Sequence, residues 1–280
     1  MLPEDSVSTI LSLTSPLDAC RSSVVSSIFS SASSSDLVWE RFLPSDHQEL
    51  ITRLVKVNDD KSPLKLSTKK ELFFHLCNPL LIDGGTKSFK IEKSSGKKSY
   101  ILSARELLIT WSDETMYWSW KHIPQSRFAE VVELRTITWL EIHGKIRTRT
   151  LSKNTTYSAY LVMNISHRAY GLGTTPFEVS VSVGDRQVSR GTVSVCEHDH
   201  KKSQVRTLDS SEAMRPKVLI GSEKMVSTER RGDGWLEIKL GEFFVDEDDD
   251  EEVKMSLTET KGYHLKAGLV IEGIEVRPKN

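Results

Sequence analysis

The hydrophobic period of this chain changes from 3.6 to 2 near Phe89, which divides it into a helical N-terminal part and a strand-built remainder. Before that point Val7, Ile10, Leu11 and Leu13 recur at helical spacing, with Asp5 as the expected N-cap and Pro3 fixing the chain ahead of it. Ser15-Pro16 breaks the run, and a second segment follows over residues 17–25. A module of about 40 residues is near the lower limit for an independent core, so this one needs a partner or a neighbour. Ser45 and Asp46 precede a short helix reaching Arg53, and residues 56–63 read as a loop. Leu72, Phe73 and Leu76 share one face of a further amphipathic segment over 69–77. Residues 80–82 then end at the turn Asp83-Gly84-Gly85.

Beyond Phe89 the spacing predicts strands over 100–103, 107–111 and 140–143, the last interrupted by Gly144. Tyr157, Ala159, Leu161, Met163 and Ile165 alternate along a longer strand, and residues 177–183 alternate up to the turn Gly184-Asp185. Segments 235–240, 253–257 and 267–276 complete the set. Many short strands without strand–helix alternation predict an antiparallel sandwich or jelly roll. Residues 197–231 read as a long charged loop with one strand-like stretch at 218–220, and the acidic run 246–252 as a solvated hairpin tip. The expected fold class is therefore α+β and multidomain. A small all-α module (1–45) and linker helices (46–86) precede an all-β antiparallel sandwich (87–280).

Composition narrows the function classes. A net charge of −1 over 280 residues argues against a nucleic-acid or membrane-surface binder, since both need a basic field. No apolar run approaches the roughly 18 residues of a membrane span. Glu4 and Asp5 stand where a signal peptide carries basic residues. Cys20, Cys77 and Cys196 are too few and too scattered for a disulfide framework. The expected location is the cytoplasm or nucleus, where the sequons at Asn154 and Asn164 are accidental.

Chemistry concentrates in residues 110–120, where Trp111, Trp118 and Trp120 surround Asp113-Glu114. Indole faces cover the apolar face of a pyranose and carboxylates accept from its hydroxyls, so sugar binding is one reading. A packed aromatic corner is the other, and Trp120 reads as structural. Cys196-Glu197-His198-Asp199-His200 lacks a second ligand pair and reads as a loop, so no metal is expected. Gly171-Leu172-Gly173 opens no helix and is no phosphate loop. No catalytic triad or cofactor motif is legible, and the chain reads as non-catalytic.

Leu2, Pro3, Ile10, Leu11, Leu13, Asp18, Val25, Phe29 and Trp39 together resemble an F-box. The pattern departs from the family at Ser22, Ser23 and Ser26, where larger apolar residues are usual. The resemblance implies docking onto the Skp-type adaptor of a cullin–RING ubiquitin ligase through Leu2, Pro3, Ile10, Leu11, Val25 and Trp39. From residue 87 to 279, Tyr100-Ile101-Leu102-Ser103-Ala104-Arg105, Tyr117-Trp118-Ser119-Trp120, Gly234-Trp235-Leu236-Glu237-Ile238 and the ending from Gly262 to Lys279 resemble the phloem protein 2 lectins. That resemblance implies binding of N-acetylglucosamine oligomers or N-glycan cores by Trp111, Trp118, Glu252 and Glu259. Nothing marks either glutamate as a proton donor, so binding without cleavage is expected. An F-box before such a domain is similar to the plant F-box phloem protein 2-B group. It implies a substrate receptor of an SCF-type ligase that presents a glycan or glycoprotein. The alternatives are a free cytosolic or nuclear lectin, and a receptor for a protein degron with a vestigial sugar site.

Overall fold

The computed structural model describes residues 3–54, 67–195, 225–226 and 229–279. Leu2, the cluster 196–200 and the strand-like stretch 218–220 lie outside the described residues. Among the described residues six α-helices come first: α1 (Glu4–Ser12), α2 (Pro16–Ser22), α3 (Ser27–Ala32), α4 (Asp36–Phe42), α5 (His47–Arg53) and α6 (Lys69–Leu76). Serine and threonine set several of their starts. Ser15, Ser26 and Thr68 accept from the backbone N–H three residues on, at 3.1, 3.4 and 3.1 Å. The expected cap at Asp5 is displaced. Here α1 begins at Glu4 with Pro3 in the cap position, and both acids lie in the first turn, where the helix dipole favours them.

Fifteen strands follow among the described residues. They are β1 (Leu80–Ile82), β2 (Lys87–Ile91), β3 (Lys98–Ser103), β4 (Leu108–Ile109), β5 (Trp118–Lys121), β6 (Val131–Leu134), β7 (Leu140–Arg147) and β8 (Thr155–Tyr170). Then come β9 (Phe177–Val183), β10 (Arg186–Val193), β11 (Met225–Val226), β12 (Glu229–Arg230), β13 (Leu236–Val245), β14 (Glu252–Glu259) and β15 (Ala267–Pro278). One sheet runs β1-β2-β3-β15-β8-β13-β12, with β6 also on β15 and β5 on β6. The other runs β11-β10-β9-β14-β7-β4. Leu161, Met163, Ile271 and Ile274 of the first sheet and Val179, Val181, Met255 and Ile142 of the second belong to one buried core. Gly144 does not end its strand. A Cβ there would stand 2.8 Å from the Ile274 side chain, so the glycine lets the two sheets close while β7 continues to Arg147.

The sandwich has two ends. The β2–β3, β7–β8 and β13–β14 turns lie at one, and the β4–β5, β6–β7, β8–β9 and β14–β15 turns at the other. The acidic run is indeed a hairpin tip, but a tethered one: buried Thr148 donates its hydroxyl to the Asp249 carbonyl at 3.0 Å and accepts from the Glu251 N–H at 2.9 Å. The helices occupy this same end. A Cβ on Gly96, in the β2–β3 turn, would lie 2.7 Å from the Phe42 carbonyl oxygen. The segment read as a linker supplies α5 and α6, and its last residues form β1, which joins the first sheet.

Trp39 makes the joint. It is fully buried, its indole N–H donates to the Ser33 carbonyl at 2.7 Å, and its ring lies 5.1 and 5.3 Å from Phe73 and Phe74 of α6. Trp39 therefore faces inward, against the adaptor-contact role expected of it. Leu11 is likewise buried. Ionic contacts flank this cluster. The Arg53 guanidinium holds Asp83 at 2.9 Å through two nitrogens, Lys87 reaches the same carboxylate at 3.0 Å, and Lys98 reaches Asp46 at 3.0 Å. Hydrogen bonds from Arg53 outweigh burial and, with Lys87, hold the Asp83 carboxyl down at about 2.

Trp39→Ala should cost about 3–5 kcal/mol, read as a fall in the urea midpoint of the whole chain. Asp83 supplies a separate acid signature. Its folded value lies below the unfolded one, so its contribution is complete above about pH 4 and is lost as pH falls through about 2. At neutral pH that contribution is roughly 2 kcal/mol. Urea melts between pH 2 and 6 should show a shallower acid slope for Asp83→Asn than for the wild type.

Candidate functional site

Two regions present chemistry outward. On the helical module, Val7 and Leu11 turn inward while Ile10, Leu13, Leu17, Val24, Val25 and Leu37 stay exposed, Val24 to 87% and Val25 to 66%. Pro3 is exposed as well. Of the residues singled out for adaptor contact, Pro3, Ile10 and Val25 thus stand in solvent, whereas Leu11 and Trp39 hold the module together. So many uncovered apolar side chains on a module this small mark a docking surface.

The second region is the far end of the sandwich. Trp111 does not close a strand as expected: β4 stops at Ile109, and Trp111 adopts a left-handed backbone with φ of 56°. A tryptophan rarely accepts that conformation, and its neighbours impose it here. The Trp118 indole N–H donates to the Thr110 carbonyl at 3.0 Å, and the Trp120 indole N–H donates to the Ser112 carbonyl at 2.9 Å. The Thr110 N–H donates to Glu141 of β7 at 3.1 Å. Two tryptophans thereby clamp the carbonyls on either side of the third, which is pushed out to 49% exposure. Its ring lies 5.3 Å from that of Tyr117, tilted by 35°.

The four residues expected to bind sugar do not form one cluster. Trp111 is the exposed platform, while Trp118 is only 1% exposed and offers no open ring face; its role is to hold the turn. Trp120 is structural as read, half-buried under the Arg105 guanidinium, which sits 3.5 Å from its ring centre. Glu252 and Glu259 stand at opposite ends of β14, paired with Arg147 and Leu140 of β7. Seven residues of strand separate them by roughly 23 Å, and an odd separation puts them on opposite faces. Glu252 is partly exposed beside Lys145 at 3.1 Å, at the end that carries the helices. Glu259 is at the far end but buried, where it pairs with Lys266 and accepts the Gly262 N–H at 2.6 Å.

That buried pair organises the loops around Trp111. Lys266 also donates to the Thr138 carbonyl at 2.6 Å, and its backbone exchanges hydrogen bonds with Ile137 at 3.0 and 2.8 Å. The β6–β7 and β14–β15 loops are thereby fixed together, with Trp139 half-exposed on the first and Tyr263 and Leu265 exposed on the second. Thr110 donates its hydroxyl to the Glu141 carboxylate at 3.2 Å, which sets a polar group behind the platform. Tyr117, Trp139 and Glu141 were not singled out from sequence. Tyr117 lies in the turn just before β5, where no strand period marks its direction.

Both parts of the chain match known families. Residues 1–41 match the F-box domain family, and residues 97–278 match the phloem protein 2 family. The chain is 48% identical over 284 residues to the F-box protein VBF of Arabidopsis thaliana, covering 100% of this chain and 99% of that one. It is 50% identical over 283 residues to F-box protein PP2-B13 of the same plant, covering 99% and 98% respectively. F-box protein PP2-B15, also from Arabidopsis thaliana, is 49% identical over 286 residues, covering 100% and 96%.

The tryptophans should separate in a stability assay. Trp118→Ala should lower the unfolding free energy by about 3–5 kcal/mol, whereas Trp111→Ala should change it by less than about 1 kcal/mol. Chemical denaturation followed by circular dichroism checks both.

Proposed function

The chain belongs to the F-box proteins that carry a phloem protein 2 domain, and from that premise we propose that it is the substrate-receptor subunit of an SCF-type cullin–RING ubiquitin ligase. The observation that carries the proposal is the division of labour between two opposed ends of one continuous core. Exposed Ile10, Leu13, Leu17, Val24 and Val25 form the adaptor surface, through which the cullin is reached. Leu11 and Trp39 act beneath it as supports. The far loops receive the substrate. The chain itself performs no bond chemistry; it holds its cargo within reach of the ubiquitin-charged enzyme, in the cytoplasm or nucleus.

The cargo is a glycan or glycoprotein carrying N-acetylglucosamine. Trp111, with Tyr117 beside it, offers a flat aromatic surface suited to the C–H face of a pyranose. Trp118 and the Glu259–Lys266 pair position that surface instead of touching the sugar. Glu252 lies too far away to share the site.

Pulldown of a Skp-type adaptor tests the ligase half of the proposal. Each exposed anchor that becomes buried at the interface is worth roughly 1.5–3 kcal/mol, and a charge in its place adds a desolvation penalty. Ile10→Asp combined with Val25→Asp should therefore reduce capture at least tenfold while leaving the melting temperature unchanged. Wild-type protein that binds no better than this variant would remove the ligase assignment.

A further inference from the structure

A polar cleft opens beside the aromatic pair, on the outer face of the first sheet. Its origin is a gap in a ladder. β6 pairs with β15 at Glu133–Val270 and Val132–Ile271, and Ile137 bridges to Lys266. Between those contacts no register joins residues 134–136 to 267–269. The far side of β15 is closed by β8, where Ala267 pairs with Tyr170. At Gly268 the register breaks, from Ala267–Tyr170 to Leu269–Ile165, and the glycine fits the irregularity because its φ is 81° and a Cβ there would collide with Ala169. The result is a cleft of about 520 Å³, with Ser119, Glu133 and Arg135 on one wall and Arg168 and Tyr170 on the other.

The charges in this cleft are unevenly matched. Glu133 is already engaged, taking a hydrogen bond from Lys121 at 2.6 Å. Burial works against its ionisation, but hydrogen bonds from Lys121 and Ser166 and the nearby charges of Lys121 and Arg168 outweigh burial and keep it below the usual carboxylate range. Arg135 and Arg168 are exposed, and among the described residues neither has a carboxylate oxygen within 4.0 Å. By contrast, Arg105 pairs with Glu130 at 2.6 Å and Arg277 with Glu237 at 2.7 Å. Two guanidiniums across a concave, hydroxyl-lined gap suit an anionic group, which they grip through directed N–H donors. The cleft also adjoins the platform directly, because the Arg135 N–H donates to the Tyr117 carbonyl at 2.8 Å.

We propose that this cleft is a subsite for the carboxylate or sulfate of an acidic glycan whose neighbouring sugar rests on Trp111. The inference rests on the glycan reading and specifies its ligand class. Arg135 and Arg168 grip the anion, Ser119 and Tyr170 border it, and Lys121 keeps Glu133 from repelling it.

Titration calorimetry on the full chain tests this with three oligomers of matched length: neutral N-acetylchitotetraose, its 6-O-sulfated form, and a tetragalacturonate. The wild type should bind one or both acidic oligomers at least tenfold more tightly than the neutral one, with the preference shrinking between 50 and 300 mM salt, about the range over which screening becomes effective. The sulfated and uronate arms identify which anion is taken. Arg135→Ala combined with Arg168→Ala should abolish the preference and leave neutral binding intact, with unchanged melting confirming the fold. Trp111→Ala should weaken all three. Equal binding of acidic and neutral oligomers, or an equal loss of both in the arginine variant, would overturn the subsite while leaving the glycan reading standing. Absence of binding to every oligomer would overturn both. A phosphoserine peptide bound in preference to all three would assign the cleft to a protein ligand and overturn the acidic-glycan proposal.

Discussion

The burial of Trp39 against Phe73 and Phe74 is the contact on which the rest of the molecule depends. A module of about 40 residues cannot close a core by itself, and here the closing aromatic surface is lent by α6 and the sandwich it rests on. Phe42 extends the same cluster, 5.7 Å from Trp39 and 6.5 Å from Phe73. With that inward demand met by Trp39, Leu11 and Val7, the remaining apolar residues of α1 and the α2–α3 turn are left for a partner. Serines at 22, 23 and 26 thin the inward face less than their number implies, because Ser26 caps α3 and Ser23 donates to the Cys20 carbonyl at 2.7 Å.

Rigid attachment gives the two ends of the sandwich distinct meanings. The helices and the Thr148-tethered acidic turn occupy one end, and the loops around Trp111 occupy the other. Bidentate Arg53–Asp83 and buried Lys98–Asp46 add directional contacts across the joint that apolar packing lacks. A receptor that works through proximity gains from such a joint, since orientation is held before the substrate arrives. The strained turn at Trp111 follows the same logic locally, with two indole N–H groups fixing the backbone that presents the third ring.

Most of this architecture was legible where one face is buried and the other wet. Residues 177–183 alternate in sequence and form β9 with the same bounds. β10 went unseen because Arg186–Val193 is largely polar with only Val193 buried, and pairing with β9 rather than its own pattern makes it a strand. β5 and β6 are four-residue pieces, too short for a period to emerge. At the site, the cluster at 110–120 was found, but the assignment of its members was not. Which tryptophan faces out depends on a left-handed turn that no periodicity encodes. The separation of Glu252 from Glu259 was different, since a strand over 253–257 already places residues seven apart on opposite faces. The family pattern hid what the strand period stated.

The central claim is that helices and sandwich form one body that holds the docking surface at a fixed distance from the far loops. Double electron–electron resonance between spin labels at Val24→Cys and Tyr263→Cys measures this, with Cys20, Cys77 and Cys196 replaced by alanine to leave only the labelled sites. Both positions are exposed, at opposite ends of the molecule. The account requires a single narrow distance distribution. A broad or bimodal distribution in the intact chain would contradict it, because the helices would then move independently of the domain they carry.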